Sequence, residues 1–261
     1  MNYGQAVLLG LVQGLTEFLP VSSSGHLVVA GAAVGLSIPG VTVEVLLHVA
    51  TLLAVLIVYR GRIVELVVGC VRGQADAWRV VGLLALASIP AAIVGLLFEH
   101  AIEEAFDSLL LVGIDFLVTG GVLWSTRRLG GRAVTETPTV GGATAIGVAQ
   151  AFAILPGISR SGTTVSAALW FGVKPQRAAE FSFLMAVPAI AGAAVLELPN
   201  LSLGTVGGGW GPLLAGFVAA LASGVFAIRF LVALLRRGSF HRFAPYCWAL
   251  GVVTVLWAVI G

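Results

Sequence analysis

Gly10-Leu-Val-Gln13-Gly-Leu-Thr-Glu17-Phe-Leu-Pro20-Val-Ser22-Ser23-Ser24-Gly25-His26 is echoed 137 residues later by Gly147-Val-Ala-Gln150-Ala-Phe-Ala-Ile-Leu-Pro156-Gly-Ile-Ser159-Arg160-Ser161-Gly162-Thr163. Gly10, Gln13, Ser24 and Gly25 fall on Gly147, Gln150, Ser161 and Gly162 at one constant offset, and the prolines miss it by a single residue. A helix-breaking proline, a hydroxyl cluster and a glycine recur at matching places in two halves of an apolar chain. That pattern predicts two interrupted helices meeting at a buried polar site. One copy brings Glu17 and His26, the other Arg160. Unlike charges from two halves suit an anion.

The surrounding chain is 59% apolar and only 10% charged, with a mean hydropathy of +1.05. Soluble domains carry about a quarter charged residues, so an integral membrane protein is expected. With no low-complexity tail or long polar linker, residues 1–261 read as one polytopic membrane domain. The first apolar stretch lacks the basic flank of a cleavable signal peptide and is expected to be retained. A net charge of +2 gives no signal for nucleic acid. Cys70 and Cys247 lack metal-like spacing and are expected to be free thiols.

A crossing needs about 20 apolar residues. Six stretches qualify, at about 43–59, 76–98, 108–124, 178–198, 209–235 and 244–260, with Pro90 and Pro188 inside two of them. Residues 3–19 and 140–155 differ, because each is followed by a polar break and then only a half-length apolar stretch, 25–36 or 162–172. Each reads as a re-entrant helix hairpin. Twelve of the 14 Lys and Arg fall in or beside the linkers 60–78, 125–139, 173–177 and 236–243. Six crossings plus two hairpins put all four linkers on one side, which the positive-inside rule makes cytoplasmic. The expected fold is therefore all-α, with six transmembrane helices and two re-entrant hairpins in an inverted-topology repeat. Its halves span about 1–125 and 139–261, with hairpin one entering from outside and hairpin two from the cytoplasm.

Arg160 and Arg229 lie outside the basic linkers. An intramembrane charge is costly, so Arg160, set among Ser159, Ser161, Gly162, Thr163 and Thr164, is a functional candidate. Arg229 is expected to snorkel or to pair with Asp115. Backbone amides opening the half-helices at Gly25 and Gly162, serine and threonine hydroxyls, and the Arg160 fork together suit phosphate. Gln13 and Glu17 share a helix face directed at the break. Glu17 is a candidate to hold a divalent cation on a diphosphate, to act as a general base, or to brace the hydroxyl turn. His26 is a candidate acid–base group beside Ser22, Ser23 and Ser24, a satisfied core histidine being the alternative. Spacing does not choose among the three serines. Glu44 and His48 share a face and are candidates to line or brace the site, and Glu180 is expected to pair with a basic residue at the cytoplasmic edge.

Gln13-Gly-Leu-Thr-Glu17-Phe-Leu-Pro20-Val-Ser-Ser-Ser-Gly25-His26 and Pro156-Gly-Ile-Ser-Arg160-Ser-Gly162-Thr163-Thr closely resemble the undecaprenyl-diphosphate phosphatase, or bacitracin-resistance, family. Val43-Glu44-Val-Leu-Leu-His48 and Ala179-Glu180-Phe-Ser-Phe-Leu-Met-Ala-Val-Pro188 extend the similarity nearly end to end. The resemblance implies a plasma-membrane hydrolase that removes the terminal phosphate of a C55 polyprenyl diphosphate and so recycles the lipid carrier of cell-wall synthesis. It also implies a divalent cation (Mg²⁺ or Ca²⁺) and a homodimer. By position it gives Gln13 and Glu17 as the acidic motif, Ser23 as nucleophile, His26 as the motif histidine and Arg160 as the phosphate clamp. Many members have Glu where this chain has Gln13, so Glu17 is expected to hold a cation together with the substrate's phosphates. Ser22, Ser24, Gly25, Ser159, Ser161, Gly162 and Thr163 complete the expected binding set, and the pocket is expected to open to the extracytoplasmic side. The competing class is a transporter or flippase for an anion or phosphorylated lipid, built on the same repeat.

Overall fold

Asn2 accepts the Gln5 amide through its side chain, and the Gln5 side chain accepts the Asn2 amide in return. This capping box starts helix α1, Tyr3–Phe18. In the computed structural model, which describes residues 1–34, 41–129, 134–197 and 209–260 and all their side chains except 33, 34, 41, 42, 44, 196 and 197, α1 is followed by α2 (Ser23–Val34), α3 (Val41–Val58), α4 (Arg60–Val71) and α5 (Ala75–Leu97). Then come α6 (Glu99–Phe106), α7 (Leu109–Ser125), α8 (Val140–Phe152), α9 (Arg160–Trp170), α10 (Pro175–Glu197), α11 (Trp210–Arg236) and α12 (Ala244–Ile260). Among the described residues there is no strand, only an isolated bridge between Thr135 and Val173.

The protein is an all-α membrane protein. Among the described residues, five segments are long and apolar enough to cross a bilayer: Ala75–Leu97, Leu109–Arg128, Pro175–Val195, Trp210–Arg236 and Phe240–Ile260. The sixth expected span, 43–59, falls on α3, an apolar helix of 18 residues. Pro90 and Pro188 lie inside α5 and α10 as expected. The stretches 60–78 and 99–107, read as linkers, contain α4 and α6. Their charge, not a lack of helix-forming residues, set them apart from the spans. The expected linker 199–208 and most of 37–42 lie outside the described residues, as do Arg132 and the Glu44 side chain.

Small residues let the long helices approach closely, as membrane packing favours. Gly10 and Gly14 of α1 lie against backbone carbonyls of α11, at Gly216 and Ala220, with no room for a Cβ. Gly147 of α8 meets the Ala87 carbonyl of α5 in the same way. Gly113 of α7 faces the Gly251 carbonyl of α12, and Gly120 faces the Trp248 ring. Phe18, Phe183, Ile146, Leu123, Met185 and Ile228 are wholly buried at the centre, with Phe18 and Phe183 edge to face at 5.4 Å.

The basic linkers gather at one end of this bundle. Arg62 Nε lies 2.9 Å from Glu180 Oε1, and Arg177 reaches both Glu180 and Glu136. Glu180 thus pairs with basic neighbours, as expected. Lys174 also bonds Glu136, and hydrogen bonds from Lys174 and Arg177 hold the Glu136 carboxyl below the ordinary range. Trp124 meets the His241 ring at 5.9 Å, joining the fourth linker to the others. The Val134 and Thr135 amides donate to the Gly172 carbonyl, and the Lys174 amide donates to the Thr135 carbonyl. The chain therefore enters α8 and leaves α9 at the same end. Arg229 is exposed on α11 and makes no ion pair with Asp115. Cys70 and Cys247 are free thiols.

Candidate active site

Two interrupted helices bring their tips together, and each break is built by the same device. Ser22 and Ser159, at equivalent places, sit before α2 and α9, and their Oγ atoms accept the Gly25 and Gly162 amides at 3.3 and 3.1 Å. The amides expected to face an anion are thus taken by serine caps. The two tips also contact each other reciprocally. A Cβ on Gly25 would lie 2.9 Å from Gly157 Cα of the second break, and one on Gly162 would lie 3.3 Å from Pro20 Cβ of the first. Ser22 Oγ accepts the Gly157 amide at 3.1 Å, and Ser161 Oγ donates to the Leu19 carbonyl at 3.2 Å.

Both tips hold left-handed backbone, at Ser22 (φ 65°) and Gly157 (φ 103°). A Cβ on Gly157 would meet the Val112 carbonyl oxygen at 2.5 Å and Asp115 Cβ at 2.7 Å. Gly157→Ala is expected to cost about 2–5 kcal/mol, combining the φ penalty with overpacking. Unfolding in detergent measures this. Gly61→Ala, with nothing within 4 Å of the added Cβ, is the control and should lose no more than about 0.5 kcal/mol.

Glu17 is the hub. Its Oε1 takes a hydrogen-bonded ion pair from Arg160 Nη2 across the tip contact. Its Oε2 accepts the Ser23 hydroxyl at 2.7 Å and Gln13 Nε2 at 3.1 Å, and His48 Nε2 stands 3.9 Å away. Carboxylate, guanidinium and serine therefore converge, although 143 residues separate Glu17 from Arg160. Of the three serines only Ser23 presents its hydroxyl to a base. Ser22 is occupied as a double acceptor, and Ser24 Oγ lies 3.3 Å from Ser22 Oγ.

These groups open onto a cavity of about 1070 Å³, lined by Glu17, Ser22, Ser23, Ser24, Ser159 and Arg160. Thr16, His48, Glu99 and Gln150 also face it, as do apolar residues of α5 and α10. Other expected site residues stand outside the lining. Gln13 and Ser161 brace Glu17 and Leu19 as described, Gly25 and Gly162 form the tip contact, and Thr163 Oγ1 donates to the Ser159 carbonyl at 2.8 Å.

His26 is not brought to the carboxylate. Its Nδ1 is 2.7 Å from the Ser22 carbonyl and its Nε2 is 2.6 Å from Tyr246 Oη. The ring stacks on Tyr246 and meets the Phe116 edge. A carbonyl only accepts, so Nδ1 carries a proton and Nε2 is left to accept from the phenol. Sequence reasoning placed His26 by adjacency to the serines, but the helical turn from Ser22 to His26 carries the ring to α12. Gln150 was visible as the counterpart of Gln13 yet had no charge to mark it, and Thr16 gave no signal at all.

Among the described residues no three His, Cys, Asp or Glu side chains come together as a metal cage. Gln13 Oε1, beside Glu17, is buried and accepts no hydrogen bond. A hard cation takes six or more oxygens, so Glu17, which lines the cavity, fits one only if most ligands come from substrate and water.

The chain is thus an all-helical, multi-pass membrane protein in which a glutamate–arginine pair and a serine hydrogen-bonded to the same carboxylate line one cavity. The chain belongs to the bacitracin resistance protein BacA family, whose profile matches residues 6–253. It is 42% identical over 266 residues to the undecaprenyl-diphosphatase of Carboxydothermus hydrogenoformans, covering 100% of this chain and 99% of the relative. Identity to the undecaprenyl-diphosphatase of Syntrophotalea carbinolica is 44% over 257 residues (96% and 97% covered). To that of Desulfatibacillum aliphaticivorans it is 40% over 274 residues (98% and 99%).

Proposed function

We infer that this chain is an undecaprenyl-diphosphate phosphatase, a membrane hydrolase that removes the terminal phosphate of the polyprenyl diphosphate and returns the monophosphate carrier to cell-wall synthesis. The observation that carries this reading is the hydrogen bond from Ser23 to Glu17 beside Arg160 on the cavity. A carrier needs an anion clamp but not a serine held against a base, so hydrolysis is favoured over transport. The full-length relatives bear the same activity in their names.

In the proposed reaction the terminal phosphate takes Arg160, loosening that residue's hold on Glu17 and leaving the carboxylate free to accept a proton. Ser23 Oγ bonds to the terminal phosphorus as its proton passes to Glu17 Oε2, and the bond from phosphorus to the bridging oxygen breaks. The lipid monophosphate departs with that oxygen. Water then cleaves phosphoserine, returning the Ser23 hydroxyl and releasing inorganic phosphate, while Glu17 gives up its proton to solvent. His26 acts as a positioning residue, fixing the Ser22 carbonyl at the tip. A divalent cation held by Glu17 and the diphosphate's oxygens would supply charge neutralisation, a large part of phosphoryl-transfer catalysis.

We read the topology as six crossings with two re-entrant hairpins, in inverted halves of about 1–125 and 139–261. Supporting this are the clustering of the basic linkers at one end, the return of α9 to the end where α8 began, and the exchange by which α1 packs on α11 and α8 on α5. On this reading the cavity opens to the extracytoplasmic face of the plasma membrane, away from the basic end. A homodimer is proposed on the family resemblance alone.

The test is phosphate release by the purified protein in detergent, with C15 and C55 diphosphates as substrates. One phosphate per diphosphate is expected, falling at least tenfold with chelator and recovering with Mg²⁺ or Ca²⁺. Absence of release with either lipid at any cation concentration removes the hydrolase reading. Chelator-insensitive release removes the cation alone.

A further inference from the structure

Gln150 takes no part in the cluster around Glu17, yet it is the most conspicuous loose end in the cavity. It sits in the last turn of α8 and is 3% exposed. Both Nε2 and Oε1 are buried with no hydrogen-bond partner among the described residues. Burying a carboxamide unpaired is unfavourable, and native proteins rarely do so without use for the group. Gln150 is among the residues that line the cavity, and no polar group of the described helices reaches its amide.

Its surroundings differ from those of Arg160. One turn earlier, Gly147 presses α8 onto α5 at the Ala87 carbonyl. The same cavity is lined by Ala91, Ala92 and Gly95 of α5, by Ile154, and by Pro188 and Gly192 of α10. A Cβ on Gly95 would be 4.0 Å from Ile154 Cδ1, so this wall is continuous. Gln150 therefore shares its cavity both with the polar groups Glu17, Ser23 and Arg160 and with an apolar flank suited to hydrocarbon.

We propose that Gln150 is a further substrate-binding residue, its Nε2 donating to the inner, lipid-bearing phosphate while Arg160 grips the terminal one. A phosphate offers only acceptors at its ionised oxygens, which selects Nε2 of the carboxamide. A neutral donor also suits this place, because the inner phosphate leaves with the product and a second fixed cation would retain it. The assignment rests on the phosphatase reading, and its test is built to fail separately.

Gln150→Leu removes the amide and ends one atom shorter; Gln150→Glu keeps the shape and adds a charge that repels phosphate. KM for C15 diphosphate is expected to rise about tenfold or more in both, the scale of one hydrogen bond to a charged group, with kcat within about threefold. Inhibition by C15 monophosphate should weaken by the same factor, and inhibition by inorganic phosphate should not change. Thermal stabilisation of the detergent-purified protein by C15 monophosphate gives the same comparison without turnover. Unaltered KM and unaltered monophosphate binding in Gln150→Leu, or in Gln150→Glu if the leucine variant does not fold, overturn the assignment and leave the phosphatase standing. Weaker inhibition by inorganic phosphate would overturn it too, by moving Gln150 to the terminal site. Wild-type protein that binds the monophosphate through Gln150 but hydrolyses nothing would instead remove the phosphatase reading.

Discussion

Arg160→Ala protein is expected to release phosphate from a polyprenyl diphosphate at least about a thousandfold more slowly than wild type. Removing one preorganised donor from a developing oxyanion costs about 10²–10³ in rate, and removing a cation from a transferring phosphoryl group costs about 10³–10⁵. Arg160 is both, and it is the sole guanidinium among the described residues that line the cavity. A second effect follows from its partner. Arg160 and Glu17 are 15% and 8% exposed, so deleting the arginine leaves a buried carboxylate uncompensated, at a cost of about 3–5 kcal/mol. Glu17→Gln in the Arg160→Ala background removes that charge. It is expected to restore much of the unfolding midpoint in detergent and none of the activity. Arg160→Lys keeps the charge but loses the planar fork and should remain about ten- to a hundredfold impaired. Near-wild-type turnover in well-folded Arg160→Ala would take the phosphate clamp out of the mechanism.

Part of this site is legible in the sequence because its parts are punctuated. Pro20 and Pro156 interrupt apolar runs that composition alone marks as membrane helices, and Arg160 is conspicuous as a charge away from every basic linker. Local chemistry locates the two tips; it says little about which groups they bring face to face. Ser22, Ser23 and Ser24 are equivalent as residue types, and only the left-handed turn at Ser22 and the course of α1 give Glu17 to Ser23. His26 adjoins the serines in sequence, but its ring partner Tyr246 lies 220 residues away. By sequence Arg229 either snorkels or pairs with Asp115, and spacing does not choose between the two. In the fold Asp115 is 5% exposed beside Gly157 and Arg229 faces outward. Contacts made across long sequence separations leave no local trace, whereas helix length, breaks and charge sidedness do.

The three adjacent serines are expected to fail in three different ways. Ser23→Ala removes the hydroxyl that donates to Glu17 Oε2 at 2.7 Å, and with it the nucleophile; kcat should fall at least about a thousandfold, in the range of other nucleophile deletions. Loss of the methylene-linked hydroxyl leaves the backbone cap intact, so unfolding should shift by no more than about 1 kcal/mol. Ser22→Ala acts mainly on folding. It strips the cap from α2, leaves the Gly157 amide unpaired and keeps the left-handed strain, together about 2–4 kcal/mol. Ser24→Ala loses one 3.3 Å contact to Ser22 and should stay within about threefold of wild-type turnover. Rapid quench of wild type with a labelled terminal phosphate should trap phosphoserine, and Ser23→Ala should trap none. If Ser23→Ala turns over at the wild-type rate while Ser22→Ala and Ser24→Ala are folded, Glu17 activates water directly. The same carboxylate would then act on a different nucleophile, with Arg160 still required.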